Sequence, residues 1–170
     1  MRRVRYAVAA SLDGYIAGPN GEADWIMMDA DIDFHGLFNE FDTVLIGRRT
    51  FEVMLRSGNG AMPGMEMFVF SRTLRQQDHP GVTVVADKAA ETLAELRSKP
   101  GKDTWLLGGG LLFRSLADAG LVNTIEVSMI PILLGEGIPM FPGPTERAKL
   151  RLTGHRVYES GIVRLEYSLQ

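Results

Sequence analysis

At 170 residues the chain is long enough for one domain with a continuous core, and 45% hydrophobic against 23% charged residues excludes a disordered polymer. Eighteen basic and 21 acidic side chains leave a net charge of −3, which gives no electrostatic reason to expect nucleic acid or a membrane as partner. The absence of cysteine removes disulfides, thiol nucleophiles and cysteine-ligated zinc. With neither a signal-peptide pattern nor an apolar run of bilayer length, the expected compartment is the cytoplasm.

In chain order, Val4, Tyr6, Val8 and Ala10 alternate as a first strand. Phe34, Leu37, Phe38 and Phe41 stand at helical spacing behind the acidic start Asp29–Asp33. Thr43–Ile46 reads as a strand, Thr50–Leu55 as a helix, and Met67–Phe70 and Val82–Val85 as the next two strands. Asp87 is placed to N-cap a helix carrying Ala90, Leu93, Ala94 and Leu96, which Pro100-Gly101 stops. Thr104–Leu107 is a strand that runs into three glycines and a helix, Leu111–Ala119, ended by Gly120. Asn123–Ile130 is strongly β-forming. Leu150–Tyr158 and Ile162–Leu169, joined through Ser160-Gly161, predict an antiparallel hairpin with Val163, Leu165, Tyr167 and Leu169 on one face. The alternation predicts an α/β fold with a mixed sheet, parallel inside and antiparallel at the C-terminal end.

Two strand ends carry chemistry. Leu106-Leu-Gly-Gly-Gly-Leu-Leu-Phe113 takes an apolar strand through a turn without side chains into a helix. That arrangement lets backbone amides and the positive end of a helix approach an anion. It lacks both the GxGxxG spacing and the Walker lysine, so a tight strand–helix turn and a phosphate cradle stand side by side as readings. Gly47-Arg-Arg-Thr50 follows strand Thr43–Ile46 in the same way. Its arginines either clamp phosphates or point into solvent, although two cations at a helix start oppose the macrodipole unless an anion is near. Ser71-Arg72 marks a third strand end, and open α/β sheets bind ligands along that edge. His35, His79 and His155 show no metal-ligand spacing, so no metal is expected.

The order of Ser11-Leu-Asp-Gly-Tyr-Ile-Ala17, Val44-Leu-Ile-Gly-Arg-Arg-Thr-Phe51, Phe70-Ser-Arg-Thr73 and Leu107-Gly-Gly-Gly110 resembles the dihydrofolate reductase superfamily. Together with Pro131-Ile-Leu-Leu-Gly-Glu-Gly-Ile-Pro-Met-Phe141, it is most similar to the reductase domain of bifunctional riboflavin-biosynthesis proteins and its stand-alone relatives. The resemblance implies a single dihydrofolate reductase-like domain over residues 1–170, a three-layer sandwich with helices on both faces of a sheet of about eight strands. It implies NADPH along the carboxyl edge of the sheet, with Ala9 and Ile16 flanking the nicotinamide. Arg48, Ser71 and Arg72 would surround the 2′-phosphate. Arg49 and Thr50 would sit on the pyrophosphate side, with Gly47, Gly108, Gly109, Gly110, Leu111 and Leu112 completing that surface and Phe113 near the cofactor. It further implies a cis peptide at Gly108–Gly109 and a homodimer, through the Pro131–Phe141 segment or a sheet edge.

For the substrate, the similar segment of the riboflavin group places Asp13 at the mouth of the site, whereas Asp13-Gly14 is equally a favoured turn pair. Trp25 fits the tryptophan of the mobile loop in dihydrofolate reductases. The pterin-binding carboxylate of those enzymes would fall near Ala30, flanked by Asp29 and Asp31. The expected activity is NADPH-dependent hydride transfer to a small pterin-like or ribosylaminopyrimidine-like molecule. A true dihydrofolate reductase, a non-catalytic NADPH-binding or sensory protein, and a structural dimerisation module are the alternatives. The zinc deaminase fused to the riboflavin enzymes is not expected within these 170 residues, which hold no cysteine to ligate its metal.

Overall fold

The computed structural model describes residues 2–143 and 147–170. The strands are β1 (Val4–Ser11), β2 (Tyr15–Ala17), β3 (Phe41–Gly47), β4 (Glu66–Phe70), β5 (Thr83–Val85), β6 (Asp103–Gly108), β7 (Thr124–Ile130), β8 (Ile138–Pro139), β9 (Leu150–Val157) and β10 (Val163–Leu169). The helices are α1 (Phe34–Asn39), α2 (Arg48–Arg56), α3 (Ala89–Ser98) and α4 (Gly110–Asp118). Eight strands form one sheet in the order β5-β4-β3-β6-β1-β7-β10-β9, while β2 and β8 make a separate antiparallel pair. From β5 to β7 every pairing is parallel, and the β9–β10 hairpin adds antiparallel pairing at one edge.

Alternation of side chains across the strands decides the layers. Tyr6, Leu45, Phe68 and Leu106 meet Leu93 and Leu96 of α3 and Phe113 and Leu116 of α4 on one face. Val44, Ile46, Val69 and Trp105 meet Leu37 of α1 and Phe51 and Met54 of α2 on the other. The result is a three-layer α/β sandwich with helices on both faces. Each fully buried large side chain, such as Tyr6 or Phe51, contributes about 1.5–3 kcal/mol to holding those layers together.

Local details differ from the sequence expectation at two places. Phe41 opens β3 rather than extending the helical face, because Glu40 already caps α1; its ring stacks on Trp105 at 5.6 Å beneath the Arg5 guanidinium. Asp87 does not cap α3. The capping position is Lys88, with no side-chain hydrogen bond, and Asp87 instead pairs with Arg72 at 3.0 Å.

An ion-pair network lies within the sheet on the α1–α2 face. Arg5 Nε and Nη2 donate to Glu126 Oε1 and Oε2 at 2.6 and 2.8 Å across β1 and β7. Arg164 of β10 donates to Glu126 Oε2 at 3.1 Å, and Thr124 donates to Oε1 at 3.1 Å. Arg5 also pairs with Glu40 and Asp103. Burial pushes the Glu126 carboxyl up, but the hydrogen bonds and charge of Arg5, aided by Thr124 and Arg164, outweigh it and hold the group below its ordinary value. Asp103 is shifted the same way, burial again being outweighed by Arg3 and Arg5.

Glu126→Gln, which leaves the buried Arg5 short of a counter-charge, is expected to cost about 3 kcal/mol at neutral pH in urea unfolding. Because the folded Glu126 is depressed, its contribution is complete above the ordinary glutamate value of 4.5 and disappears as pH falls through the lower folded value. The gap between wild type and variant therefore closes in acid. A gap that widens below that value would contradict the assignment.

Candidate active site

The carboxyl ends of β1, β3, β6 and β7 open into one cleft of about 1350 Å³. Gly47–Thr50 and Gly108–Leu112 line one end. Phe34, Phe38, Trp105 and Tyr158, with Met28 and Ile32, line the other. Ala7, Ala9, Ser128 and Arg164 lie on the sheet face between them.

At the first end, two nine-residue helices begin directly on the cleft. Gly47 caps α2 and Gly109 caps α4, neither with a side-chain hydrogen bond and neither helix with an acid in its first turn. Their first amides are therefore left to pair with something outside the helix, and both dipoles favour an anion there. The Gly108–Gly109 peptide is cis. The Thr50 hydroxyl rests against this turn, since Cβ positions built at Gly108 and Gly109 fall 3.5 and 3.6 Å from Thr50 Oγ1.

The glycines serve different needs. A methyl at Gly110 would come within 2.5 Å of Pro142 Cδ and 2.8 and 2.9 Å of the carbonyl oxygens of Met140 and Pro139, so packing demands glycine there. A methyl at Gly47 would meet only ordinary contacts, the nearest at 3.6 Å to Gly109 N. Internal packing does not require Gly47 or Gly109. Their open surface faces the cleft and suits the close approach of a ligand such as a dinucleotide pyrophosphate.

Ala9, Ile16, Gly47, Arg48, Arg49, Thr50 and Gly108–Leu112 are thus brought together on one surface. Arg48 also reaches Glu52 at 3.2 Å, one helical turn on. Other expected residues lie off the cleft. Ser71 Oγ is occupied by its own turn, accepting from Thr73 N and Leu74 N at 3.2 and 3.0 Å, and Arg72 is held outward by Asp87. Phe113 points into the core, stacked on Tyr6 at 4.3 Å, because α4 presents that side to the sheet.

The three acids do not line the cleft either. Asp13 accepts from Leu134 N and Gly135 N at 3.2 and 2.8 Å, which fixes the loop after β7. Hydrogen bonding from Ser11 and from the Gly135 and Leu134 amides holds its carboxyl below the ordinary value. Asp29 accepts from Ser160 N and Asp31 N at 3.2 and 2.8 Å, with its carboxyl lowered mainly by Ser160, and Asp31 is on the exposed side of that turn. Glu126, Ser128 and Arg164, which the sequence reading did not single out, do line the cleft. Their signal was available: charged residues at inward positions of otherwise apolar internal strands, as in Thr-Ile-Glu-Val-Ser-Met-Ile130.

Gly110→Ala is expected to lower stability by about 1–3 kcal/mol through overpacking, while Gly47→Ala stays within about 0.5 kcal/mol of wild type. Thermal unfolding of both variants checks this. Equal losses would mean that Gly47 is a packing glycine and that the cleft surface is not reserved for a ligand.

The RibD C-terminal domain model matches residues 2–164. The chain is 34% identical to the uncharacterized protein YyaP of Bacillus subtilis (strain 168), over 98% of this chain and 94% of that one. Among solved structures, a putative riboflavin biosynthesis protein from Shewanella sp. PV-4 superposes with a TM-score of 0.82 at 27% identity, covering 100% of this chain and 99% of that one. Dihydrofolate reductase from Enterococcus faecalis, complexed with NADP(H), shares the fold with a TM-score of 0.70 at 22% identity, covering 98% and 94%. The chain has a dihydrofolate reductase-like fold, and it belongs to the RibD C-terminal domain family.

Proposed function

We propose that the chain is an NADPH-dependent reductase that transfers a hydride to a small planar heterocycle, pterin-like or ribosylaminopyrimidine-like. The observation that carries the reading is the pair of helix starts at Gly47 and Gly109, uncapped by side chains and open on the same cleft. The Enterococcus reductase of the same fold was solved with NADP(H), which supports the choice of cofactor.

In this reading the first-turn amides of α2 and α4, with Thr50 and Arg49, hold the pyrophosphate, and Arg48 meets the 2′-phosphate. Arg72 reaches that phosphate only by giving up Asp87. Ala9 and Ile16 present an apolar surface to the nicotinamide and keep water from it. Bound NADPH supplies the hydride; the protein supplies orientation and a dry compartment. No carboxylate among Asp13, Asp29 and Asp31 reaches the compartment, so folate reduction is not the favoured reaction. That same feature favours, as a second reading, a protein that binds NADPH without turnover.

Fluorescence titration tests the cofactor: NADPH is expected to bind in the micromolar range, with NADH at least about tenfold weaker because it lacks the 2′-phosphate. Equal binding of the two would overturn the role of Arg48. Loss of NADPH absorbance on adding a ribosylaminopyrimidinone or dihydrofolate then separates an enzyme from a binder.

The chain is further proposed to work as a homodimer. On the β9–β10 face away from the cleft, Leu150, Leu152 and Val157 are 43%, 50% and 68% exposed, beside Val163, Leu165 and Tyr167. Arg151, Arg156, Arg164 and Glu166 take the opposite face, while His155, opposite Leu165, shares this one; the mainly apolar surface suits pairing with a second copy of itself. Leu152→Glu is expected to shift sedimentation from dimer to monomer. A monomeric wild type would refute the proposal.

A further inference from the structure

On the sheet face of the cleft a saturated carboxylate, Glu126, stands beside a guanidinium with donors to spare, Arg164. Both Glu126 oxygens are taken: Oε1 by Arg5 and Thr124, Oε2 by Arg5 and Arg164. A carboxylate has about four acceptor sites, so this one has none to spare. Glu52 and Glu136 also line the cleft, but on α2 and just before β8, away from Arg164.

Arg164 is the reverse case. Among the described residues its polar contacts leave through Nη2, to Glu126 Oε2 at 3.1 Å and Glu166 Oε1 at 3.0 Å. Those two acids hold the guanidinium plane in place while Nε and Nη1 remain as donors. The side chain is 22% exposed and lines both the main cleft and an adjoining pocket of about 250 Å³. Arg156, its cross-strand partner on β9, stacks on Tyr158 at 4.7 Å and faces the same small pocket. Like charges directly opposite on neighbouring strands destabilise a sheet, and here Glu126 and Glu166 offset Arg164 while the Tyr158 ring faces Arg156. Of the acids on that pocket, Asp33 accepts from Gly36 N through Oδ1 and Glu40 from Arg5 through Oε2.

Register sets the distance. Ala9, Ser128 and Arg164 are successive partners across β1, β7 and β10, all on the cleft face. Two strand spacings place Arg164 about 10 Å from Ala9. Phe34, Phe38, Trp105 and Tyr158 contribute aromatic surface to the same cleft.

We propose that Arg164 is the specificity-determining residue of this compartment, selecting a planar ring that presents a carbonyl or carboxylate oxygen to the donors left free on its guanidinium, Nη1 or Nε. The inference rests on the reading above, in which the glycine end holds NADPH with its nicotinamide at Ala9. A ligand whose outer edge carries only amino or amidinium donors finds no acceptor on Arg164 and, when charged, is repelled by it.

The test uses the wild-type chain saturated with NADPH, so that the arginines of the cofactor end are occupied, and measures NADPH affinity first. Absence of NADPH binding at that stage contradicts the cofactor reading rather than the role of Arg164. Benzoate, benzamide and benzamidinium, planar probes of nearly one shape, are then titrated by calorimetry. The expected order puts benzoate or benzamide at least about tenfold tighter than benzamidinium; which of the two is tighter tells a carboxylate from a carbonyl preference. In Arg164→Met that preference falls by at least about tenfold with NADPH affinity unchanged, and Arg164→Lys retains part of it. Arg5 still partners Glu126 in both variants. Benzamidinium binding as tightly as the oxygen probes, no probe binding to the NADPH complex, or an undiminished preference in folded Arg164→Met would each overturn the proposal. Should Arg164→Met not fold, the wild-type order and Arg164→Lys decide it.

Discussion

Parallel pairing of β3 with β6 is the constraint on which the site depends. The pairing advances from Leu45↔Leu106 to Ile46↔Gly108, a shift that passes over Leu107. That one-residue irregularity at the end of the strands sets Gly47 beside Gly109, with a Cβ built at Gly47 falling 3.6 Å from Gly109 N. Two helices consequently start side by side at one point of the sheet edge. Segment 139–142 then presses on Gly110 and holds the start of α4 in place. The proposed anion-binding surface follows from register and from two glycines, with Arg48, Arg49 and Thr50 beside them.

A second constraint works on the opposite end of the same face. Internal strands of a parallel sheet are normally apolar, yet β1 and β7 bring Arg5 and Glu126 together on their α1–α2 face. A buried pair of this kind is weak evidence for stability in itself, since two charges must be desolvated to form it. Its effect here is to fix Arg164 from behind. The cleft therefore has two unlike parts: backbone amides and arginines near Gly47 and Gly109, and an oriented guanidinium on the sheet face, which shares an adjoining pocket with Tyr158.

Much of this was legible in the sequence, and the parts that were not have physical reasons. The strands, the C-terminal hairpin and the glycine turn were signalled by alternation and by strand-to-helix punctuation, which are local properties. Gly110 and Gly109 are indistinguishable in sequence; only the approach of Pro139 and Pro142, some thirty residues on, separates a packing glycine from an open one. Asp13, Asp29 and Asp31 follow from motif positions of the similar families, but where each carboxylate sits is decided by loop amides or exposure that no motif position reports. The resemblance implies Phe113 near the cofactor, but α4 turns that ring into the core against Tyr6, since a motif position does not say which helix face meets the sheet. Arg5, Glu126 and Arg164 were overlooked for the opposite reason: their meaning arises from pairing across three strands distant in sequence.

The central claim is that the starts of α2 and α4 jointly form the dinucleotide cradle. Amide hydrogen exchange with and without saturating NADPH tests it directly, because it reads the backbone groups the claim names. The account predicts slowed exchange at residues 48–50 and at 110–112 together, with little change at Ser71 and Asp13. NADPH binding that protects only one of the two helix starts, or neither, would contradict it.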